Sequence, residues 1–172
     1  ERARDLFEEC CETVPPKYAK ELFLKYADFE VKHGLARRAM SVYERATEYV
    51  VEEEQYDVYC RYIKQAEEIF GAPYTRAIYQ KAIEILPNKY IPDISISFAK
   101  MEVALNEVDR ARVILSHGSQ VCDPRVMKSF WQHWKDFEVQ HGNEDTFKEM
   151  LRVQRSVKAS YLSSHYIENL DD

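Results

Sequence analysis

The stretch Phe130-Trp131-Gln132-His133-Trp134-Lys135-Asp136-Phe137-Glu138 decides the fold of this chain. It contains both tryptophans of the 172-residue sequence, and the large rings at 131, 134 and 137 are three residues apart. On an α-helix that spacing places the rings on one face. The same columns recur upstream at intervals of 36 residues, which is typical of an array of repeated structural units.

The first helix of each predicted repeat carries a column of large rings, which an acid follows in three of the four repeats. The members of these columns are Phe23, Tyr26, Phe29 and Glu30; Tyr59 and Tyr62; Phe98 and Glu102; and Trp131, Trp134, Phe137 and Glu138. The acids are spread along the array, whereas a catalytic pair of carboxylates must converge on one pocket. We therefore interpret them as structural contacts to a basic or hydroxyl group on the second helix of the repeat.

A second set of columns with the same 36-residue period predicts the second helix of each repeat. Tyr43 and Tyr79 each follow a large apolar residue, and small residues, Ala46 and Ala82, come three places later. Large and small sites on one helix face are what close packing between helices requires.

Together these columns predict an all-α superhelix of about four antiparallel helix pairs behind a leading helix, with an array that covers residues 1–165. The predicted bounds are 2–13 for the leading helix, about 16–50, 53–86, 91–120 and 124–164 for the repeats, and 166–172 for a frayed tail. Because the sequence begins inside a helical pattern without an initiator Met, we expect a fragment of a longer chain.

Turn residues support these bounds. The positions predicted to end a first helix in the left-handed conformation are Gly34, Asn106 and Gly142. In the second repeat Gly71 comes one place later, which predicts a first helix longer by one residue and a turn shorter by one. Asp123 and Pro124 resemble an N-cap followed by the first residue of a helix.

Composition excludes several functional classes. Hydrophobic residues make up 45% and charged residues 31%, which excludes disorder for most of the chain. The net charge of −6 argues against nucleic-acid binding by the surface as a whole. We find no zinc-ligand spacing, phosphate loop or nucleophile elbow, so we predict no metal, no cofactor, no small-molecule substrate and no enzymatic activity. No apolar run is long enough to span a membrane.

One surface stripe is a candidate partner contact. Lys148, Arg152, Arg155 and Lys158 are spaced by four, three and three residues, so they line one face of the last predicted helix. The simplest interpretation is a solvated face, and the alternative is contact with an acidic partner or with RNA phosphate. Trp131 and Trp134 also have two interpretations, stacking on nucleic-acid bases or packing in the core. Their match to the repeat columns favours the core.

The start of the chain is a second candidate surface. Leu6 and Phe7 stand in the apolar columns of a second helix, but no preceding first helix is present to cover them. We expect this uncovered face to favour self-association of the chain.

The columns resemble the HAT (half-a-TPR) repeat, a helix pair found mostly in RNA-processing assemblies. Close matches are Val42-Tyr43-Glu44-Arg45-Ala46 and Ile78-Tyr79-Gln80-Lys81-Ala82. Family-specific turns, Pro15-Pro16-Lys17-Tyr18-Ala19-Lys20, Cys122-Asp123-Pro124-Arg125 and His141-Gly142-Asn143-Glu144-Asp145-Thr146, are similar to the C-terminal part of the Syf1 (XPA-binding protein two) family of pre-mRNA-splicing factors. The departures are Ser95, Leu115 and Gly118, from which we expect a locally less stable third repeat.

The resemblance implies a right-handed HAT/TPR-like solenoid that acts as a non-enzymatic scaffold. It implies a nuclear subunit of the spliceosome, in the Prp-nineteen-associated complex, whose partners are other spliceosomal proteins. Because animal members of the family are linked to transcription-coupled DNA repair, the resemblance also implies a role in that process. The alternatives are a HAT scaffold of cleavage/polyadenylation or of ribosomal RNA maturation, and direct RNA binding by the last helix.

Overall fold

The described part of the chain, residues 1–168 of a computed structural model, consists of α-helices joined by short turns and contains no strand. It divides into two compact units, Glu1–Leu86 and the described residues from Pro87 onward. The helices are α1 (Arg2–Thr13), α2 (Pro16–Lys32), α3 (Ala36–Tyr49), α4 (Glu52–Phe70), α5 (Ala72–Ile85), α6 (Ile91–Ala104), α7 (Val108–Gly118), α8 (Lys128–His141) and α9 (Glu144–Glu168). Short 3-10 helices cover Asn88–Tyr90 and Ser119–Val121.

The first unit contains α1 to α5, which pack through the predicted ring columns. The Phe7 ring on α1 stacks on Tyr26 of α2 with a centroid distance of 5.0 Å. Tyr43 of α3 stacks on Tyr62 of α4 at 5.4 Å. Rings on successive helices therefore interleave, so that each helix buries an apolar stripe against its neighbours.

The second unit contains α6 to α9 and is built around the tryptophans of α8. Trp131 and Trp134 are 3% and 2% exposed, and their rings lie 5.5 Å apart. Apolar residues from α6, α7 and α9 surround them, including Leu115 and Met150, which are almost completely buried. These indole rings form core contacts and are not available to stack on bases.

Two turns have the predicted left-handed residue. Gly34 has φ 73° and Asn106 has φ 60°. In both turns the next N–H reaches back to the carbonyl of a buried glutamate: Leu35 donates to Glu30 at 2.9 Å, and Glu107 donates to its counterpart Glu102 at 2.8 Å. This closure satisfies carbonyl groups that the end of a helix leaves unpaired.

The prediction for Gly142 is wrong. Its φ is −96°, because the chain turns directly into the cap of α9. The Asn143 side chain accepts the Thr146 backbone N–H at 3.0 Å, and the Thr146 hydroxyl accepts the Asn143 N–H at 2.8 Å. A glycine is still favoured here, since an added Cβ would lie 2.8 Å from the backbone carbonyl oxygen of Glu138.

Two other local predictions need correction. Helix α4 ends at Phe70 and α5 begins at Ala72. Compared with α2 and its turn in the first repeat, α4 is two residues longer and its turn is two residues shorter, whereas the sequence predicted a difference of one residue in each. Helix α8 begins at Lys128, not at Pro124. Residues 123–127 instead form a single turn in which the Met127 N–H donates to the Asp123 carbonyl at 2.8 Å.

In the third repeat, α6 and α7 approach each other closely at the position where the other repeats have an aromatic ring. Ser95 of α6 and Leu115 of α7 are fully buried. A Cβ added to Gly118 would lie 2.8 Å from the Ser95 Cβ, so the missing ring and the glycine are complementary. The departures at Ser95 and Gly118 are therefore a matched pair.

The expected all-α, helical-repeat fold class is confirmed. Helix α9 continues to Glu168, and the rest of the predicted frayed tail, 169–172, lies outside the described residues. Within residues 1–168, none of the helices combines the length and the apolar character that a membrane span requires.

Candidate partner-binding site

The predicted signature residues lie in the cores of the two units. All of them are buried except Phe29, which is half-buried. Glu30 and Glu138 are buried charges, and each accepts a hydrogen bond from an arginine: Arg4 Nε at 2.6 Å and Arg112 Nε at 2.8 Å. These arginines lie on α1 and α7, the helices that precede the glutamates, and not on the second helix of the same repeat as expected.

Apolar residues replace this ion pair where the first repeat meets the second. The positions equivalent to Arg112 and Glu138 are Met40 of α3 and Ala66 of α4, which are 3% and 0% exposed. A charge pair and an apolar pair therefore occupy the same place in different repeats. This pattern assigns the glutamate column to packing and not to chemistry.

A tryptophan fixes the segment that connects α7 to α8. The Trp131 indole N–H donates to the Cys122 carbonyl at 2.9 Å, which holds residues 119–127 against the core of the second unit. Asp123 then orients Arg125: its carboxylate accepts the Arg125 backbone N–H at 3.0 Å and the guanidinium at 2.9 Å. These bonds lower the pKa of the Asp123 carboxyl. Arg125 is thus held at the surface beside the start of α8.

This turn, the start of α8 and α9 line an open basic cleft of about 490 Å³. We define the basic cleft by its lining residues, which are Pro124, Arg125, Lys128, Gln154, Arg155 and Lys158. Its cations form two pairs, one on the turn and the start of α8 and the other on α9, and the members of each pair are three residues apart.

The structure divides the predicted stripe into two halves. Lys148 and Arg152 form ion pairs within α9, with Glu144 at 2.8 Å and with Glu149 at 2.5 Å. Neither of them lines the basic cleft, whereas Arg155 and Lys158 do. Among residues 1–168, the cleft cations Lys128, Arg155 and Lys158 have no ion pair. The candidate contact is therefore centred further along α9 than the stripe indicated.

Sequence reasoning missed Arg125 and Lys128. They share the three-residue spacing of Arg155 and Lys158, which was the available signal. The signal was hidden because α8 was expected to begin at Pro124, which would place Arg125 inside a helix and away from a cleft.

The described residues contain no group of three or more His, Cys, Asp or Glu side chains that could hold a metal ion. The four cysteines are free thiols. Burial raises the pKa of the Cys122 thiol to about 12, so this thiol is protonated at neutral pH and a poor nucleophile. Burial also lowers the pKa of His133, with Lys100 adding to the effect. Nothing around these groups resembles an activated nucleophile.

The N-terminal face is partly uncovered. Leu6 is 60% exposed, while Phe7 is half-buried through its contact with Tyr26. The self-association expected from this face stays a prediction.

Paired antiparallel helices with recurring ring columns, and no convergent catalytic group among the described residues, define a helical-repeat protein of the HAT type. The family model described as "Pre-mRNA-splicing factor Syf1/CRNKL1 C-terminal HAT repeat" matches residues 1–171, and the chain belongs to this family. The family to which the sequence motifs pointed is therefore confirmed.

Relatives from distant organisms carry the same region. The chain is 59% identical to human pre-mRNA-splicing factor SYF1 over 161 residues, which are 94% of this chain and 19% of the human protein. The identity is 58% to the Drosophila melanogaster syf1 homologue, with 94% of this chain and 18% of the relative covered. For Dictyostelium discoideum SYF1 it is 52%, with 96% and 19% covered. The chain thus spans about a fifth of the length of these relatives.

Proposed function

We propose that this chain is part of a non-enzymatic scaffold that holds protein subunits together in the spliceosome during pre-mRNA splicing. The observation that carries the proposal is the family match over residues 1–171, together with relatives that are named pre-mRNA-splicing factors. A nuclear location follows from this function. The Prp-nineteen-associated complex is the assembly in which we place the chain, on the resemblance described above.

The structure is consistent with a scaffold. The buried Glu30 and Glu138 form ion pairs within the cores of the two units, and among the described residues no polar groups converge on a pocket suited to catalysis. Helical repeats present long surfaces on which several partners can bind at once. A role in transcription-coupled DNA repair is a second proposal and rests on the family resemblance alone.

Affinity purification of the full-length protein, followed by identification of the co-purifying subunits, tests the proposal. We expect core splicing proteins to be enriched over a purification from cells that lack the tagged protein. Enrichment of cleavage/polyadenylation factors or of ribosomal RNA maturation factors, without splicing proteins, would replace the proposal with one of the alternative assemblies.

Direct RNA binding is the second candidate function, because four cations line the basic cleft. A gel-shift with single-stranded RNA at about 50 and about 200 mM salt tests it, since phosphate contacts weaken steeply over that range. Absence of a shift at the lower salt concentration would exclude this candidate.

A further inference from the structure

The basic cleft is built from two separate segments of the second unit, although the chain as a whole is acidic. Four cations line one concave site of about 490 Å³, and one of them, Arg125, is paired with Asp123. Clustered like charges repel one another, and a concave wall of low dielectric constant focuses their field. Such a site attracts a compact group of negative charges.

We propose that the basic cleft binds an acidic segment of a partner protein, through carboxylate or phosphoserine side chains. This inference rests on the proposed scaffold function and names the class of partner. The pair Arg125/Lys128 comes from the turn and the start of α8 and the pair Arg155/Lys158 from α9, so a segment bound in the cleft meets cations from two separate parts of the chain. Acidic side chains one helical turn apart on the partner match the three-residue spacing of each pair.

Three observations favour a protein segment over an RNA strand. None of the described residues that line the cleft is aromatic, whereas sites for single-stranded nucleic acid commonly stack bases on rings. A long polyanion that left the cleft along α9 would approach the exposed acids Glu144, Asp145 and Glu149, and the chain carries a net charge of −6. Val126, beside the cleft, is 75% exposed and offers an apolar contact that suits a peptide.

The test uses the full chain and four fluorescent probes. The first is an acidic peptide of about 15 residues with Glu at helical spacing and one Leu. The second carries phosphoserine in place of each Glu, the third carries Gln, and the fourth is single-stranded oligouridine of similar length. We expect the Glu or the phosphoserine peptide to bind by fluorescence anisotropy, and the tighter of the two identifies the source of the charge. The proposal is overturned if the Gln peptide binds equally well or if oligouridine binds more tightly than both acidic peptides.

Two double variants with the same change in net charge localise the interaction. Arg155→Glu with Lys158→Glu should weaken peptide binding by about tenfold or more, because both cations face the ligand. Lys148→Glu with Arg152→Glu, on the same helix but outside the cleft, should change affinity by about twofold or less. Equal losses in the two double variants would overturn the proposal, since they would indicate only long-range attraction.

Circular dichroism checks that the variants fold. If the charge-reversed cleft variant does not, Arg155→Gln with Lys158→Gln takes its place, and we expect a loss of about fivefold; an unchanged affinity would again overturn the proposal. Co-purification with the cleft variant separates this inference from the scaffold function. If splicing subunits are recovered equally by the wild type and the variant, the cleft inference falls and the scaffold stands. If the wild type recovers none, the scaffold proposal itself falls.

Discussion

Removing the arginine of a buried ion pair should destabilise the second unit far more than removing the whole pair. Glu138 is 2% exposed, and its Oε1 accepts hydrogen bonds from Arg112 Nε at 2.8 Å and from the Trp134 indole N–H at 3.1 Å. Its Oε2 is buried without a partner among the described residues. Arg112→Met therefore leaves a buried carboxylate with one neutral donor.

Breaking a buried pair in this way costs about 3–5 kcal/mol, because the remaining charge loses its compensation. Arg112→Met combined with Glu138→Ala removes both charges and copies the arrangement of Met40 on α3 and Ala66 on α4. We expect this double variant to lose only about 1–2 kcal/mol, from a lost hydrogen bond and imperfect packing. The double variant should thus be more stable than the single one.

Urea unfolding followed by tryptophan fluorescence measures the effect, since both tryptophans lie on α8. Arg110→Met is the matched control: Arg110 is on the same helix, its side chain is 55% exposed, and it forms a long ion pair with Glu107 at 3.8 Å. That variant should change the free energy of unfolding by about 0.5 kcal/mol or less. A loss below about 1 kcal/mol for Arg112→Met, or a double variant less stable than Arg112→Met, would refute the reasoning.

Three further predictions follow from local geometry. Gly142→Ala should lower the free energy of unfolding by about 1–3 kcal/mol, because its Cβ would lie 2.8 Å from the backbone carbonyl oxygen of Glu138; an unchanged urea midpoint would contradict this. The Cys122 thiol, with a pKa of about 12, should react with Ellman's reagent only after the protein unfolds. The number of fast-reacting thiols in the native protein should therefore be the same in Cys122→Ser as in the wild type, and loss of one of them would refute the prediction. The hydrogen bond from Arg45 lowers the pKa of Glu8, so this bond stabilises the fold above the ordinary carboxyl pKa of about 4.3 and is lost as the pH falls through the lowered value. The stability difference between Glu8→Gln and the wild type should therefore shrink in acid, and a constant difference would contradict the assignment.

The 36-residue columns were sufficient to predict the helix pairs and most of the core, because a helix with one apolar stripe has to bury it against a neighbour. Gly34 and Asn106 were predictable for a similar local reason, since few residues adopt positive φ at low cost. The start of α8 was not predictable in this way. Asp123 and Pro124 are suited to open a helix, but the Trp131 hydrogen bond to Cys122 holds the segment in a turn.

The candidate site shows the same limit. The stripe on α9 follows from spacing alone, and two of its members, Arg155 and Lys158, line the basic cleft. Arg125 and Lys128 face them only because of how α8 and its preceding turn pack against α9. Ion pairing with Glu144 and Glu149, which distinguishes Lys148 and Arg152 from Arg155 and Lys158, depends on side-chain placement.

The sequence by itself determined the repeat period, the all-α class and the family, because these depend on patterns that recur along the chain. Tertiary structure alone decided which arginine neutralises each buried glutamate and which cations share a cleft. The physical reason is that burial and charge pairing are properties of side chains brought together from different helices, and the spacing within any one helix does not contain them.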